Sequence, residues 1–334
     1  FCNFVDQNLY RLAADGSIVA ITSGEPTQRF ADCCWDPHRH RLLCVVEQHH
    51  RESSSEPDNY LGAVDLDTGE VQRLHSDYDF YSAPRLDPES NTLAVIAWSH
   101  PNMPWDGTLL MRGDFDATGI PTEMTAIAGG ANESVTQPRW LDNGSLIYIS
   151  DANGFYNLYA FDDAGSRCLL ADGADYAQPA WVFGGCEYTA IDERHLAAIR
   201  QTESGPEMVL IDLNTGLASP IAGSDEGWCI FESLGVMNGN LVFIAGFADR
   251  LPAIESLNIR DRSAERLASA GDLSIAAAIS LAEPERFPTR DGEVAHGFFY
   301  PPTSDTVSAP ASGLPPLLVM SHGGPTAATG SALS

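Results

Sequence analysis

Short apolar runs recur along this chain, each bounded by turns rich in Asp, Asn, Gly and Pro. The clearest series is ADCCWDPHRHRLLCVVE (31–47), SAPRLDPESNTLAVIAW (82–98), TQPRWLDNGSLIYIS (136–150) and AQPAWVFGGCEYTAI (177–191), with FESLGVMNGNLVFIAG (231–246) as a weaker fifth copy. In each, a short segment leads through a turn into an apolar strand. Trp35, Leu86, Trp140 and Trp181 take matching positions, 51, 54 and 41 residues apart. The three Trp residues are expected to serve as core packing. Shorter phrases repeat as well. NLYRLAADGS (8–17) returns as NLYAFDDAGS (157–166), and DLDTGEVQRL (65–74) as DLNTGLASPI (212–221). Each reads as strand, tight turn, strand, with Gly and Asn tolerating positive φ in the turn.

Four-stranded propeller blades recur at about 40–50 residues. The pattern therefore predicts an all-β propeller, with about five to six visible blades of a larger ring. Five blades run from about residue 31 to 272, and residues 1–30 read as the closing strands of an earlier blade. A ring that does not close leaves unpaired strand edges, so 1–272 is expected to be a propeller incomplete at its N-terminus. A β-sandwich would explain the alternation but not the repeated phrases.

The pattern changes after Leu273. Residues 273–282 read as a linker, and ERFPTRDGEVAHGFFYPPT (285–303) as strand, Arg-Asp-Gly turn, strand and Pro-Pro stop. A Pro- and Ser-rich connector follows, then LPPLLVMSHGGP (314–325). Leu317-Leu318-Val319-Met320 is apolar on both faces, as in a central strand covered on both sides. Residues 283–334 are therefore expected to begin an α/β domain and to contribute its first three strands.

Composition narrows the function. The formal net charge is −28, and all 18 basic residues are Arg. Nucleic acid and anionic membrane surfaces both call for a basic footprint, so neither is an expected partner. The seven cysteines, Cys2, Cys33, Cys34, Cys44, Cys168, Cys186 and Cys229, show no C-x-x-C spacing. They read as small buried hydrophobes in a reducing, cytoplasmic compartment. No segment has the roughly 20 apolar residues of a membrane span. His49-His50-Arg51-Glu52 invites a metal reading, but adjacent strand residues point to opposite faces. No metal and no organic cofactor is expected.

Candidate chemistry lies at His322-Gly323-Gly324-Pro325. A strand running into Gly-Gly leaves backbone N–H groups uncovered, so the loop can approach a reacting carbonyl closely. In acyl transfer such donors hold the oxyanion, and losing one costs about 3–4 kcal/mol of barrier. In α/β-hydrolases a loop of this type follows the third strand. On LPPLLVMSHGGPTA (314–327), HPNMPWDGTLL (100–110), QPRWLDNGSLIYISDANGFYNLY (137–159) and RFADCCWDP (29–37), the chain resembles the prolyl oligopeptidase family of serine peptidases, in its acylaminoacyl-peptidase and dipeptidyl-aminopeptidase-like branch.

The resemblance covers essentially the whole chain. It implies a propeller that admits only short substrates to an α/β-hydrolase domain, which cleaves short peptides or aminoacyl amides and esters by a Ser-His-Asp acyl-enzyme route. It also implies an oxyanion-hole role for Gly323 and Gly324, the latter in particular, with His322 and Pro325 shaping the loop. It makes Trp105 and Asp106, in SHPNMPWDGT (99–108), plausible substrate contacts. The alternative is that Trp105 packs on neighbouring blades. The expected partners are a short peptide or aminoacyl substrate and the remainder of the hydrolase domain. Self-association into a homo-oligomer is left open. No Ser here has Gly at both −2 and +2, so the nucleophile elbow and the rest of the triad are expected beyond residue 334. The rival reading is a non-catalytic propeller scaffold, which has no use for strands ending in His-Gly-Gly. The 334-residue polypeptide alone is expected to leave aminoacyl-arylamides uncleaved; turnover above background in a chromogenic assay would refute that.

Overall fold

The computed structural model describes all residues except 25–26, 51–55, 203–204, 223–226, 274–278, 311–312, 325 and 334. Pro325, Arg51, Glu52 and half of the expected linker thus lie outside the described residues. Among the described residues there is no helix, and none therefore long and apolar enough to cross a membrane.

A hairpin of β1 (Tyr10–Leu12) and β2 (Ile18–Ala20) comes first. Five four-stranded antiparallel sheets follow, each in simple sequence order. The first blade holds β3 (Gln28–Asp36), β4 (Arg41–Gln48), β5 (Asp58–Asp65) and β6 (Val71–His75). The second holds β7 (Phe80–Leu86), β8 (Thr92–Trp98), β9 (Leu109–Asp114) and β10 (Thr125–Gly129), and the third β11 (Val135–Trp140), β12 (Leu146–Ser150), β13 (Asn157–Asp162) and β14 (Gly165–Cys168). The fourth comprises β15 (Tyr188–Ala190), β16 (His195–Thr202), β17 (Gly205–Asp212) and β18 (Leu217–Ala222). The fifth comprises β19 (Trp228–Met237), β20 (Asn240–Phe247), β21 (Ala253–Leu257) and β22 (Ala264–Ser269). These are the blades the repeats predict. A last hairpin joins β23 (Glu283–Pro288) to β24 (Val294–Phe299).

The chain divides into two compact units. One contains Phe1–Gly185 with Asp192–Arg194 and Leu213–Leu217; the other contains Cys186–Ile191, His195–Asp212 and Ala218–Ser334. In the first unit, the alternation of each inner strand is spent on two neighbours. On the first blade, Leu43, Val45, Leu61 and Ala63 pack with Tyr81, Leu93 and Val95 of the second. Cys44, Val46, Tyr60 and Val64 face Leu9 and Ile21 instead. Ala94, Ile96 and Leu110 then pack with Val135, Leu146 and Tyr148 of the third blade. A strand covered on both faces must be apolar at odd and even positions alike, which explains runs such as TLAVIAW. In the second unit, Ala197, Ile199 and Met208 of the fourth blade pack with Trp228, Phe231 and Phe243 of the fifth.

The first strands share one irregularity. β3, β7, β11 and β19 each carry a register shift, between Ala31 and Cys34, Ser82 and Arg85, Thr136 and Arg139, and Glu232 and Gly235. At each shift a non-glycine residue takes positive φ: Asp32 (51°), Ala83 (50°), Gln137 (54°) and Ser233 (56°). Pro84 and Pro138 follow two of these, and proline cannot donate to a ladder. The bulge redirects backbone groups towards the neighbouring blade. The Asp32 carboxylate accepts the Ala83 amide, and Arg85 lies 3.4 Å from it. Trp140 Nε1 donates to the Arg85 carbonyl at 3.2 Å, and the Leu234 amide donates to the Cys186 carbonyl at 2.9 Å.

The cysteines are not uniformly buried: Cys44 is, Cys34, Cys186 and Cys229 are part-buried, and Cys2, Cys33 and Cys168 are exposed, being at strand edges and turns rather than on covered faces. Two further expectations need correction. First, Trp35 and Trp181 are not core residues; they are 46% and 53% exposed. Trp35 pairs with Leu42, on the face covered by Leu9 and Ile21, but beyond their reach, where it meets the edge of His40 at 5.6 Å. Trp181 falls outside the blade altogether, because the fourth blade starts at Tyr188 and AQPAWV forms no strand. Trp140, by contrast, does pack between the second and third blades. Second, residues 314–322 form no strand, and Leu317, Leu318, Val319 and Met320 are about four-fifths exposed. A strand needs a neighbour to satisfy its backbone polar groups, and no described strand lies beside this segment. Two of the three expected strands, β23 and β24, are present.

Asp32→Ala strands the Ala83 amide in a part-buried site and is expected to cost about 1–3 kcal/mol in urea unfolding. Asp32→Asn keeps an acceptor and should lose clearly less; equal losses would show that the carboxylate contributes charge rather than the interblade bond.

Candidate functional site

The terminal loop and the loop between β8 and β9 carry the expected site residues, and each lies within one of the two units. In the terminal loop, His322, Gly323 and Gly324 are exposed and outside any sheet ladder. His322 Nδ1 lies 2.6 Å from the Gly323 carbonyl oxygen. That contact ties the ring to its own loop and leaves the glycine amides to other acceptors. A Cβ on Gly323 or Gly324 would meet nothing within 4 Å. The glycines are therefore not required by crowding within the described residues.

The β8–β9 loop is built tightly. The Asp106 carboxylate accepts the Met103 amide at 2.9 Å, while the Asp106 amide donates to the Met103 carbonyl at 2.9 Å, closing a turn around Pro104 and Trp105. Asn102 Nδ2 donates to the Ala131 carbonyl at 2.9 Å, and Ser134 Oγ to the Pro104 carbonyl at 2.7 Å. Gly107 runs so close to the Gly130 and Ala131 carbonyls that any side chain there would collide with them. Thr108 Oγ1 then donates to the Val135 carbonyl and accepts the Val135 amide, both at 2.7 Å. The side chain thus stands in for a strand residue and holds the loop to the third blade.

This clamp sets Trp105 against Trp181, with ring centroids 4.2 Å apart and planes tilted by 41°. Trp105 is half-buried, while Trp181, Val182, Phe183 and Met103 remain exposed. Asp106 is exposed at the rim.

Three carboxylates, Asp106, Asp151 and Asp175, act on Tyr156 beside this loop, with Glu133 near Asp151. The Tyr156 hydroxyl donates to Ser134 Oγ at 2.9 Å, and its amide donates to Asp175 Oδ1 at 2.8 Å. Burial raises the Tyr156 hydroxyl above its ordinary value; the Ser134 bond opposes this, and Asp151, Asp175 and Asp106 add to it. Asp151 accepts the Ser134 amide at 2.7 Å, and burial pushes its carboxyl up, reinforced by Glu133 and Asp175. Glu133 accepts the Ser150 hydroxyl at 2.6 Å. An acidic rim next to the exposed Trp181 indole suits a protonated amine carried on an apolar group, through charge and cation–π attraction. The sequence reading named Trp105 and Asp106 but not Glu133, Asp151, Tyr156, Asp175 or the pairing with Trp181. The one available signal was the Pro-Trp-Asp-Gly interruption of the repeat. His49 and His50 each face a separate carboxylate, Glu47 at 3.0 Å and Asp58 at 3.1 Å, and do not converge.

No protein-family model matches the sequence, and no curated protein does. Solved structures do match. A puromycin hydrolase complexed with PGG superposes with a TM-score of 0.86 at 26% identity, over 95% of this chain and 50% of that one. A puromycin-hydrolyzing peptidase of Mycobacterium tuberculosis gives 0.85 at 26% identity, with the same coverage. Prolyl oligopeptidase B of Galerina marginata, bound to a 25mer macrocyclization substrate, gives 0.61 at 10% identity over 85% of this chain, a likeness of fold alone. The chain spans about half the length of the structures it matches.

Proposed function

We propose that this chain, which superposes on puromycin hydrolases over 95% of its length, is the propeller-bearing part of a prolyl oligopeptidase-family serine peptidase acting on short peptides or aminoacyl amides and esters. The superposition on puromycin hydrolases over 95% of the chain, at a TM-score of 0.86, carries the reading. Aminopeptidase or acylaminoacyl-peptidase specificity is the finer form of the proposal. The acidic rim around Tyr156 favours a free amine over a blocked one, because a protonated amine gains from carboxylates that a neutral acyl group would only desolvate.

In this reading residues 283–334 open the α/β-hydrolase domain, and the Gly323 and Gly324 amides hold the oxyanion of the tetrahedral intermediate. His322, whose ring lies against the Gly323 carbonyl, shapes that loop in this reading. Hydroxyl attack on the substrate carbonyl gives an acyl-enzyme with loss of the amine, and water then releases the acid. In this reading none of these 334 residues is assigned as the attacking serine, since no Ser has Gly at both −2 and +2. Trp105, braced by Trp181, offers an apolar wall to the substrate, and Asp106 adds charge at its edge. Seven free cysteines are consistent with a cytoplasmic setting.

In the intact gene product, a fluorophosphonate probe is expected to label one serine; absence of labelling in folded protein would leave the scaffold reading standing. Trp105→Ala in that protein is expected to raise KM for aminoacyl-arylamides about tenfold with the melting temperature nearly unchanged. A lowered melting temperature with unaltered kinetics would make Trp105 a packing residue only.

A further inference from the structure

The bulge in β3 brings two cysteines together. Ala31 pairs with Val45 and Cys34 with Leu43, so Asp32 and Cys33 jointly oppose the one intervening residue, Cys44. Directly opposed residues hold their Cβ atoms about 4.5–5.5 Å apart, close to the roughly 3.5–4.5 Å of a disulfide. Each thiol shifts the other's proton affinity, with Cys44 as the donor neighbour of Cys33. Their settings differ sharply: Cys44 is buried among Phe30, Val46 and Tyr60, whereas Cys33 is exposed.

That contrast assigns the roles. The hydrogen bond from Cys44 holds the Cys33 thiol below its ordinary range, against the opposing effect of burial. The same bond, with burial, keeps Cys44 protonated well above it. The more acidic and more accessible thiol is the one a peroxide meets first. We propose that Cys33 and Cys44 form an oxidation site for hydroperoxides, with Cys33 as the attacked thiol and Cys44 as the resolving one.

The chemistry balances without a further reagent. The Cys33 thiolate attacks one peroxide oxygen, the O–O bond breaks, and the departing hydroxide takes a proton to leave as water. Cys33 is then a sulfenic acid. Cys44 gives up its proton, its sulfur bonds to the Cys33 sulfur, and the sulfenic oxygen leaves as a second water. One hydrogen peroxide has been reduced by two electrons, and two thiols have become one disulfide. A transient disulfide of this kind fits a reducing compartment, where such bonds act as sensors. Its position has a structural reading as well. Asp32, the other bulge residue, receives the Ala83 amide of the second blade, so the disulfide would cross-link β3 to β4 at the residue pair that joins two blades.

The test uses the 334-residue chain, treated with hydrogen peroxide, alkylated, digested and mapped by mass spectrometry. The expected product is a Cys33–Cys44 disulfide, with Cys168, Cys186 and Cys229 still alkylated. Cys2 acts on Cys44 electrostatically, so it is the competing partner; a disulfide to Cys2 in place of Cys33 overturns the assignment. Cys33→Ser, at an exposed position, should slow oxidation of Cys44 at least about tenfold. Cys44→Ser should let a sulfenic acid accumulate on Cys33, trapped by a dimedone-type probe. Cys33 that stays reduced while other cysteines oxidise, or Cys44 oxidation unchanged by Cys33→Ser, refutes the proposal. The mapping of the unsubstituted chain decides the matter even where Cys44→Ser disturbs the core.

Discussion

One backbone constraint organises the blades: the first strand of a blade cannot pair regularly along its whole length. Four of the five first strands break register at the same place, and four non-glycine residues, Asp32, Ala83, Gln137 and Ser233, take positive φ there. Such a conformation costs about 1–2 kcal/mol per residue, so something must offset it. The offset is visible in the bonds that cross between blades within each unit, from Ala83 to Asp32, from Trp140 to Arg85 and from Leu234 to Cys186. Without the bulge those groups would be occupied by their own sheet.

The sequence carried this constraint in a form that could be read only in part. The second strands, RLLCVVE and TLAVIAW, were legible because being covered on both faces leaves an unmixed apolar run. The blade number followed from those runs. The bulge has a weaker signature, a proline after the positive-φ residue, present at Pro84 and Pro138 but replaced by Cys33 and Leu234. The same signature misled at Gln178-Pro179, which resembles Gln137-Pro138 yet precedes no strand. A phrase of five residues does not fix the phase of a blade; pairing with the next strand does. Trp181 was therefore placed in a core it does not enter, and its stacking on Trp105 could not be foreseen.

The acidic rim was illegible for a related reason. Forty-six acidic residues offer no local clue to which ones meet. Asp151 and Asp175 are drawn together by contacts of Ser134 and Tyr156, and the bond of Ser134 to the Pro104 carbonyl brings the Asp106 turn beside them. The Gly323-Gly324 pair stands out in the sequence because neither residue carries a side chain. Its preceding apolar run shows the opposite limit. Hydrophobicity declares a wish for cover, and a strand forms only beside another strand.

Thr108 and Gly107 together act as a firebreak. Thr108 bonds both polar groups of Val135, and Gly107 lies flush against the carbonyls of Gly130 and Ala131. Everything from Ser99 to Asp106 hangs outside that seal. Mutations in this stretch can remodel the surface it presents while the sheets behind it keep their register. The propeller thereby holds a segment in which novelty is cheap, and a lineage could drift in taste there without risking its architecture.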